Sequence, residues 1–290
     1  MQQDMASARR RAGSAASGTA GIRMTALERY YAKFDESHRL CTRHGLVEFR
    51  VSMKYIHDFI APGRQLKILD LGAGTGAYSV PLSREGHAVT AVELVPKNLA
   101  ALEARHENVN CWPGDARDLH FLADDTFDLT LLFGPLYHLH GDADRLKAFS
   151  EAKRVTKPGG LIFAAYVMNE YSVVSYGFRQ HHVKELLADG RLSEDFHTLD
   201  GEGDLYGYVR VEDIDRLGRL SGLERVKLIA ADGPADYIRR ELNEMDEAEF
   251  EAFVRYQLAV CERPELLGAS SHLVDIRRKP GPTAGPTAVA

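Results

Sequence analysis

Residues 66–76 read Leu-Lys-Ile-Leu-Asp-Leu-Gly-Ala-Gly-Thr-Gly. The short apolar run Lys67–Leu71 predicts a buried strand that carries Asp70 near its end and leads into three alternate glycines, Gly72, Gly74 and Gly76. Glycine lets a backbone turn tightly and come close to a ligand. A fixed carboxylate beside such a turn favours a ligand with a cationic or hydroxyl-rich part over a bare phosphate.

Outward from this turn the chain alternates between strand and helix patterns. Strands are expected at Ala88–Glu93, Val109–Trp112, Phe127–Phe133, Leu161–Val167, Glu224–Ala230 and Ser271–Arg277. Helices are expected over about 47–59, 76–85, 96–105, 142–155 (capped by Asp142), 211–220 and 246–260 (capped by Asp246 with Glu249). Lys157-Pro158-Gly159-Gly160 reads as a turn. Thr25 and Glu28 form a capping box ahead of Leu27, Tyr30, Tyr31 and Phe34, which share one helical face. Alternating strands and helices imply an α/β fold with a mostly parallel, doubly wound sheet. Ligands of such sheets bind beyond the carboxyl ends of the strands, where strand order reverses.

The domain reading is a disordered tail over 1–24, a single folded unit over 25–278 and a loose tail over 279–290. Within the unit, 66–168 is the core. Residues 169–210, rich in Tyr, His, Gly and charge, read as a lid-like insertion, and 232–270 as a helical insertion. The first 24 residues carry +3 of a net charge of −6, so the remainder is acidic. Their Arg-rich, acid-poor composition fits a transit peptide, although an extended start fits better. An acidic body argues against nucleic acid as partner. Three scattered cysteines and the lack of a long apolar run suggest reduced thiols, no metal cluster and no membrane span, as in a cytoplasmic protein.

Gly72, Gly74 and Ala77 also fit a dinucleotide fingerprint, with Glu93 near the ribose-binding offset. Asp70 opposes that reading, because it would repel a pyrophosphate and tolerate a sulfonium-bearing amino acid. Glu93 ends the second strand, Gly114-Asp115-Ala116 follows the third, and a Pro-Gly-Gly turn precedes the fifth. With these stretches the chain resembles the class I S-adenosylmethionine-dependent methyltransferases over about 66–168. The resemblance implies a Rossmann-like seven-stranded sheet, helices on both faces, an antiparallel last strand, and S-adenosyl-L-methionine as cofactor. It implies that Asp70 and Gly72, with Gly74 and Gly76 in the same turn, lie near the methionine part. Glu93 would bind the ribose, Leu94 would touch the adenine, Asp115 and Ala116 would take its amine and ring, and Phe133 would lie under the methionine.

Methyl transfer from a sulfonium is an in-line displacement, so the enzyme chiefly positions the acceptor and excludes water. The loop Phe133-Gly-Pro-Leu-Tyr-His-Leu-His140 follows the fourth strand. Tyr137 and His138 are its candidate catalytic residues, with His138 as a near-neutral base or a packing residue, and His140 as a solvated one. The loop loosely resembles the Asn/Asp-Pro-Pro-Tyr signature of adenine amino-methyltransferases. Gly134 and Leu136 depart from that signature and speak against base methylation. Arg43 or His44 is a candidate for holding a carboxylate. Asn169-Glu170-Tyr171, His181, His182 and Tyr206 are candidate substrate determinants. Asn243–Met245 and Cys261–Arg263 could reach the pocket or form a homodimer surface. The expected partner is a small-molecule acceptor. An RNA or protein methyltransferase, a cofactor-binding regulator without turnover and a nicotinamide dehydrogenase are the alternatives.

Overall fold

In the computed structural model residues 26–33, 36–201 and 204–281 are described. Thr25, Phe34 and the tails 1–24 and 282–290 lie outside them. Seven strands form one sheet: β1 (Lys67–Leu71), β2 (Ala88–Glu93), β3 (Val109–Pro113), β4 (Phe127–Leu132), β5 (Thr156–Val167), β6 (Glu224–Ala230) and β7 (His272–Arg278). Their spatial order is β3-β2-β1-β4-β5-β7-β6. The first five run parallel, and β7 is antiparallel to both β5 and β6. In β1, Ile68, Leu69 and Leu71 are fully buried although successive side chains point to opposite faces. Both faces of the central strand are therefore covered, which is why it reads as a continuous apolar run. Strand order reverses at β1, between β2 and β4, and this places the crevice at the ends of those three strands.

The helices that matter below are α1 (Ala26–Lys33), α2 (Arg43–Asp58), α3 (Ser79–Arg84), α4 (Pro96–Glu103), α5 (Asp142–Val155), α6 (Val183–Ala188), α7 (Val211–Ser221), α8 (Arg239–Glu244) and α9 (Glu247–Val260). Several boundaries differ from the sequence pattern for local reasons. Helix α3 starts at Ser79 rather than Gly76, because Gly74 (φ 56°) and Gly76 (φ 87°) hold the chain in left-handed turns. Helix α2 starts four residues early, where the Thr42 hydroxyl accepts from the Gly45 N–H. Gly141, not Asp142, is the N-cap of α5, and Asp142 sits in the first turn. There it still favours the positive end of the helix dipole.

The Pro158-Gly159-Gly160 turn lies within the span of β5. Pairing with β4 jumps from Thr156 to Leu161 across one residue of β4, so the turn is accommodated as a register shift. Lys279 belongs to the folded unit and not to a loose tail. Its ammonium donates to Asp125 at 2.6 Å and to the Thr156 carbonyl at 2.8 Å, and its carbonyl accepts from Gly159 N–H at 2.9 Å.

The helical insertion packs on α2. Arg50 donates to Glu251 at 2.8 Å, and the Tyr55 hydroxyl donates to Glu262 at 2.6 Å. Arg43 stacks on Phe250 at 4.6 Å. These contacts hold Arg43 and Cys261–Arg263 away from the crevice. An ionic chain ties the amino-terminal segment to β7: Arg39 donates to Glu48 at 2.8 Å, Glu48 lies 3.7 Å from His272, and His272 bonds Asp232 at 2.7 Å. Burial pushes the His272 imidazole down, but the Glu48 and Asp232 carboxylates outweigh it and raise it to about 9. No helix among the described residues is long and apolar enough to cross a membrane.

Candidate active site

A cavity of about 370 Å³ opens at the crevice. Three of the carboxylates on its wall come from consecutive strands: Asp70 from β1, Glu93 from the end of β2, and Asp115 just past β3. The glycine turn is stitched to β2 by N–H groups of Gly72 and Ala73, both donating to the Val92 carbonyl, at 2.8 and 3.2 Å. Asp70 is 1% exposed. Burial raises its carboxyl to about 6, against a 2.6 Å bond from the Ser79 hydroxyl and with help from the Glu93 charge. A cation in the cavity would relieve that cost.

Glu93 is buried and locked. One oxygen accepts from Gly74 N–H at 2.7 Å and the other from Val95 N–H at 2.7 Å. A carboxylate offers about four acceptor sites over its two oxygens, the chemistry that takes a pair of hydroxyls. Burial pushes the Asp115 carboxyl up, but hydrogen bonds from the Arg117 guanidinium and N–H outweigh it and leave it below the usual range. Ala116 is buried and Leu94 is 48% exposed, and both line the cavity with Gly72 and Phe133.

Gly74 and Gly76 do not line the cavity. Gly74 acts through the Glu93 carboxylate. A Cβ on Gly76 would meet Leu102 of α4 at 2.3 Å and Val80 of α3 at 3.1 Å, so this glycine serves helix packing. Gly76 was expected near the methionine part with Gly72, but it stands off the wall that Gly72 lines, turned toward α3 and α4.

The loop after β4 makes a single helical turn, Pro135–His138, and Tyr137 and His138 both face the cavity. His138 is braced on both ring nitrogens. The Leu205 carbonyl can only accept, so Nδ1 donates to it at 2.9 Å; Nε2 then accepts from the Tyr31 hydroxyl of α1 at 3.1 Å. Burial lowers its pKa to about 4, against the Leu205 carbonyl and with help from His140 and Arg39. Of the two readings of His138, base or packing residue, desolvation favours the packing one. His140 is not a solvated residue either: it lines the cavity and bonds the Asp204 carbonyl at 2.9 Å.

His44 lies 3.7 Å from Asp236 and outside the cavity wall, whereas Arg39 lines it. The density of ionisable groups at 43–50 pointed to the right segment, but the cation comes from the 3₁₀ turn Glu36–Cys41 just before it. Asn169 is a strut of the insertion: it is 1% exposed, donates to the Phe196 carbonyl at 3.0 Å and accepts from Thr198 N–H at 2.8 Å. His182 stacks on Tyr176 at 4.2 Å, off the cavity. Tyr206 is the one candidate of the insertion that reaches the reacting end, stacked on His138 at 5.2 Å.

A family model described as a methyltransferase domain matches residues 69–164. Curated relatives include a demethylmenaquinone methyltransferase of Renibacterium salmoninarum, 35% identical over 43% of this chain and 49% of its own length. A malonyl-[acyl-carrier protein] O-methyltransferase of Erwinia pyrifoliae is 30% identical over 51% of this chain and 55% of its own. The chain thus spans about half the length of the relatives it matches. A solved Thermotoga maritima structure, described as a SAM-dependent methyltransferase and possible histamine N-methyltransferase, has TM-score 0.54 at 18% identity, over 88% of this chain and 98% of its own. One from Methanosarcina mazei has TM-score 0.53 at 15% identity, over 78% and 97%. Both share the fold.

Proposed function

We propose that this chain, which carries a class I S-adenosylmethionine-dependent methyltransferase domain matched over residues 69–164, moves a methyl group from that cofactor to a small-molecule acceptor. The observation that carries the proposal is the placement of Asp70, Glu93 and Asp115 at the ends of β1, β2 and β3 around one cavity. That set of acceptors suits a ligand with a sulfonium, two vicinal hydroxyls and an exocyclic amine, and repels a pyrophosphate. When bound, S-adenosylmethionine supplies a methyl group on a sulfonium whose thioether leaves readily.

The residues then divide the work. Glu93 holds the ribose hydroxyls through its carboxylate. Asp115 takes the adenine amine, with Ala116 and Leu94 against the ring. Asp70 and Gly72 face the methionine part, Phe133 lies beneath it, and Arg39 offers a cation for its carboxylate. Tyr137 and His138 form the wall on the acceptor side. His138, neutral and held at both nitrogens, acts as a positioning residue that fixes α1 and the 204–207 strap against the cleft. The acidic cavity wall supports a small acceptor over a nucleic acid.

Calorimetry tests the cofactor assignment: S-adenosylhomocysteine is expected to bind and NADH not, and the reverse result would sink it. Incubation with methyl-labelled S-adenosylmethionine and a metabolite extract is expected to label a small molecule. For His138, the expected kcat–pH profile shows no step belonging to this residue between pH 5 and 8, since an imidazole at about 4 stays neutral throughout. His138→Gln, which can still donate to Leu205 and accept from Tyr31, is expected to keep kcat within roughly threefold. A step near pH 6 that vanishes in His138→Gln would restore the base.

A further inference from the structure

Behind the loop that carries Tyr137 and His138 lies a second cavity, of about 470 Å³, built within the insertion 169–210. The strap 204–207 separates the two. It is sewn to the loop by Gly207 N–H donating to the Tyr137 carbonyl at 2.8 Å, His138 donating to the Leu205 carbonyl, and His140 bonding the Asp204 carbonyl. Tyr206 of the strap lines the second cavity and stacks on His138, which lines the first.

Two independent features of this partition bear on the acceptor. The first is a cluster of rings. Tyr206 stands 6.3 Å from Tyr30, 5.9 Å from Tyr137 and 5.2 Å from His138, while Tyr31 stands 5.8 Å from His138 and 5.2 Å from Tyr30. Aromatic faces are negative, and such a cluster attracts a cation that has left water. The second is the sign of the charge beyond it. Glu185, Asp189, Asp200 and Asp204 line the second cavity, and the basic residue in its described wall, Arg191, is already bonded to Asp204. At the junction, His140 Nε2 donates to the Asp204 carbonyl, and the other ring nitrogen is Nδ1. It faces Asp200 Oδ2 at 3.6 Å, with Arg145 Nη2 at 3.8 Å from that same oxygen and beyond hydrogen-bond reach. Asp200 thus brings a carboxylate to the junction of the two cavities.

Resting on the methyltransferase reading above, we propose that the acceptor is an amine, bound between the tyrosine cluster and the acidic cavity of the insertion and methylated on nitrogen. In the step, the bound ammonium first gives a proton to water, and the freed nitrogen lone pair forms the N–C bond while the C–S bond breaks. Its electron pair stays on sulfur as a thioether, and the alkylammonium product gives its extra proton to water. No side-chain base is required, which agrees with a cleft whose histidines are both committed to carbonyls of the strap.

The test is calorimetry on the full chain saturated with S-adenosylhomocysteine, with 2-phenylethylamine, 2-phenylethanol and 3-phenylpropionate as probes. The amine is expected to bind at least tenfold more tightly than the alcohol, and the acid more weakly still. Asp200→Asn and Tyr206→Leu are each expected to reduce the amine-to-alcohol ratio severalfold while S-adenosylhomocysteine affinity holds. Equal affinity for amine and alcohol, tighter binding of the acid, or heat from none of the probes overturns the amine assignment. Failure of S-adenosylhomocysteine itself to bind would instead bring down the cofactor reading.

Discussion

Glu93→Ala is expected to lower the affinity for S-adenosylhomocysteine by at least roughly 100-fold. One carboxylate has two jobs. Its oxygens accept from Gly74 N–H and Val95 N–H, both at 2.7 Å, and so set the shape of the glycine turn and of the start of α4. The same carboxylate is the group proposed to hold the ribose hydroxyls. A hydrogen bond to a charged group contributes about 1.5–3 kcal/mol, so losing the ribose pair costs about 3 kcal/mol, roughly 150-fold, before the turn relaxes. Glu93→Gln keeps one acceptor oxygen and turns an amide N–H₂ toward a backbone N–H, so an intermediate loss of about tenfold is expected. Calorimetry measures both, with circular dichroism as the check on folding. Wild-type affinity in Glu93→Ala would remove the ribose assignment.

Asp275→Ala is expected to destabilise the fold by about 3–5 kcal/mol, because it leaves the buried Arg277 guanidinium without its counter-charge. Asp275 on β7 is fully buried and accepts from Arg277 Nε at 2.6 Å and Arg225 Nε at 2.8 Å. Arg277, 4% exposed, also donates to the Leu223 carbonyl at 3.1 Å, and its guanidinium lies over Gly218 of α7, where a Cβ would come within 1.9 Å of Cζ. The arginine therefore has no room to swing out to water. Domains of this kind retain about 5–15 kcal/mol of net stability, so the loss is a large share of it. Urea unfolding would show it as a lower midpoint. A shift worth less than about 1 kcal/mol would mean that Arg277 finds another partner or that water reaches it.

Much of the core was legible because its signals are local. The apolar run of β1 follows from a strand covered on both faces, and the glycines after Asp70 announce a turn that no helix can absorb. Asp70, Gly72, Glu93, Leu94, Asp115, Ala116 and Phe133 all line one cavity, since each sits at or just past a strand's carboxyl end. The misses share a cause. Gly76 belongs to the same turn as Gly72, yet its neighbour is Leu102, which lies 26 positions further on in the chain and packs there only in the folded protein. Arg39 carries no motif, and it becomes a cleft residue only because the 3₁₀ turn before α2 is pinned through Glu48 to His272 on the opposite edge of the chain.

By itself, then, the sequence determined the alternating architecture, the glycine turn beside Asp70 and the three carboxylates proposed to select the cofactor. These rest on residue type and short-range spacing. Only the tertiary structure decided the state of His138, the role of Gly76, the cation at the cleft and the tyrosine wall shared with the insertion. Burial moves the His138 imidazole down to about 4, against the Leu205 carbonyl and with help from His140 and Arg39. Desolvation and contacts between distant segments exist only once the chain has closed on itself, and no local pattern encodes them.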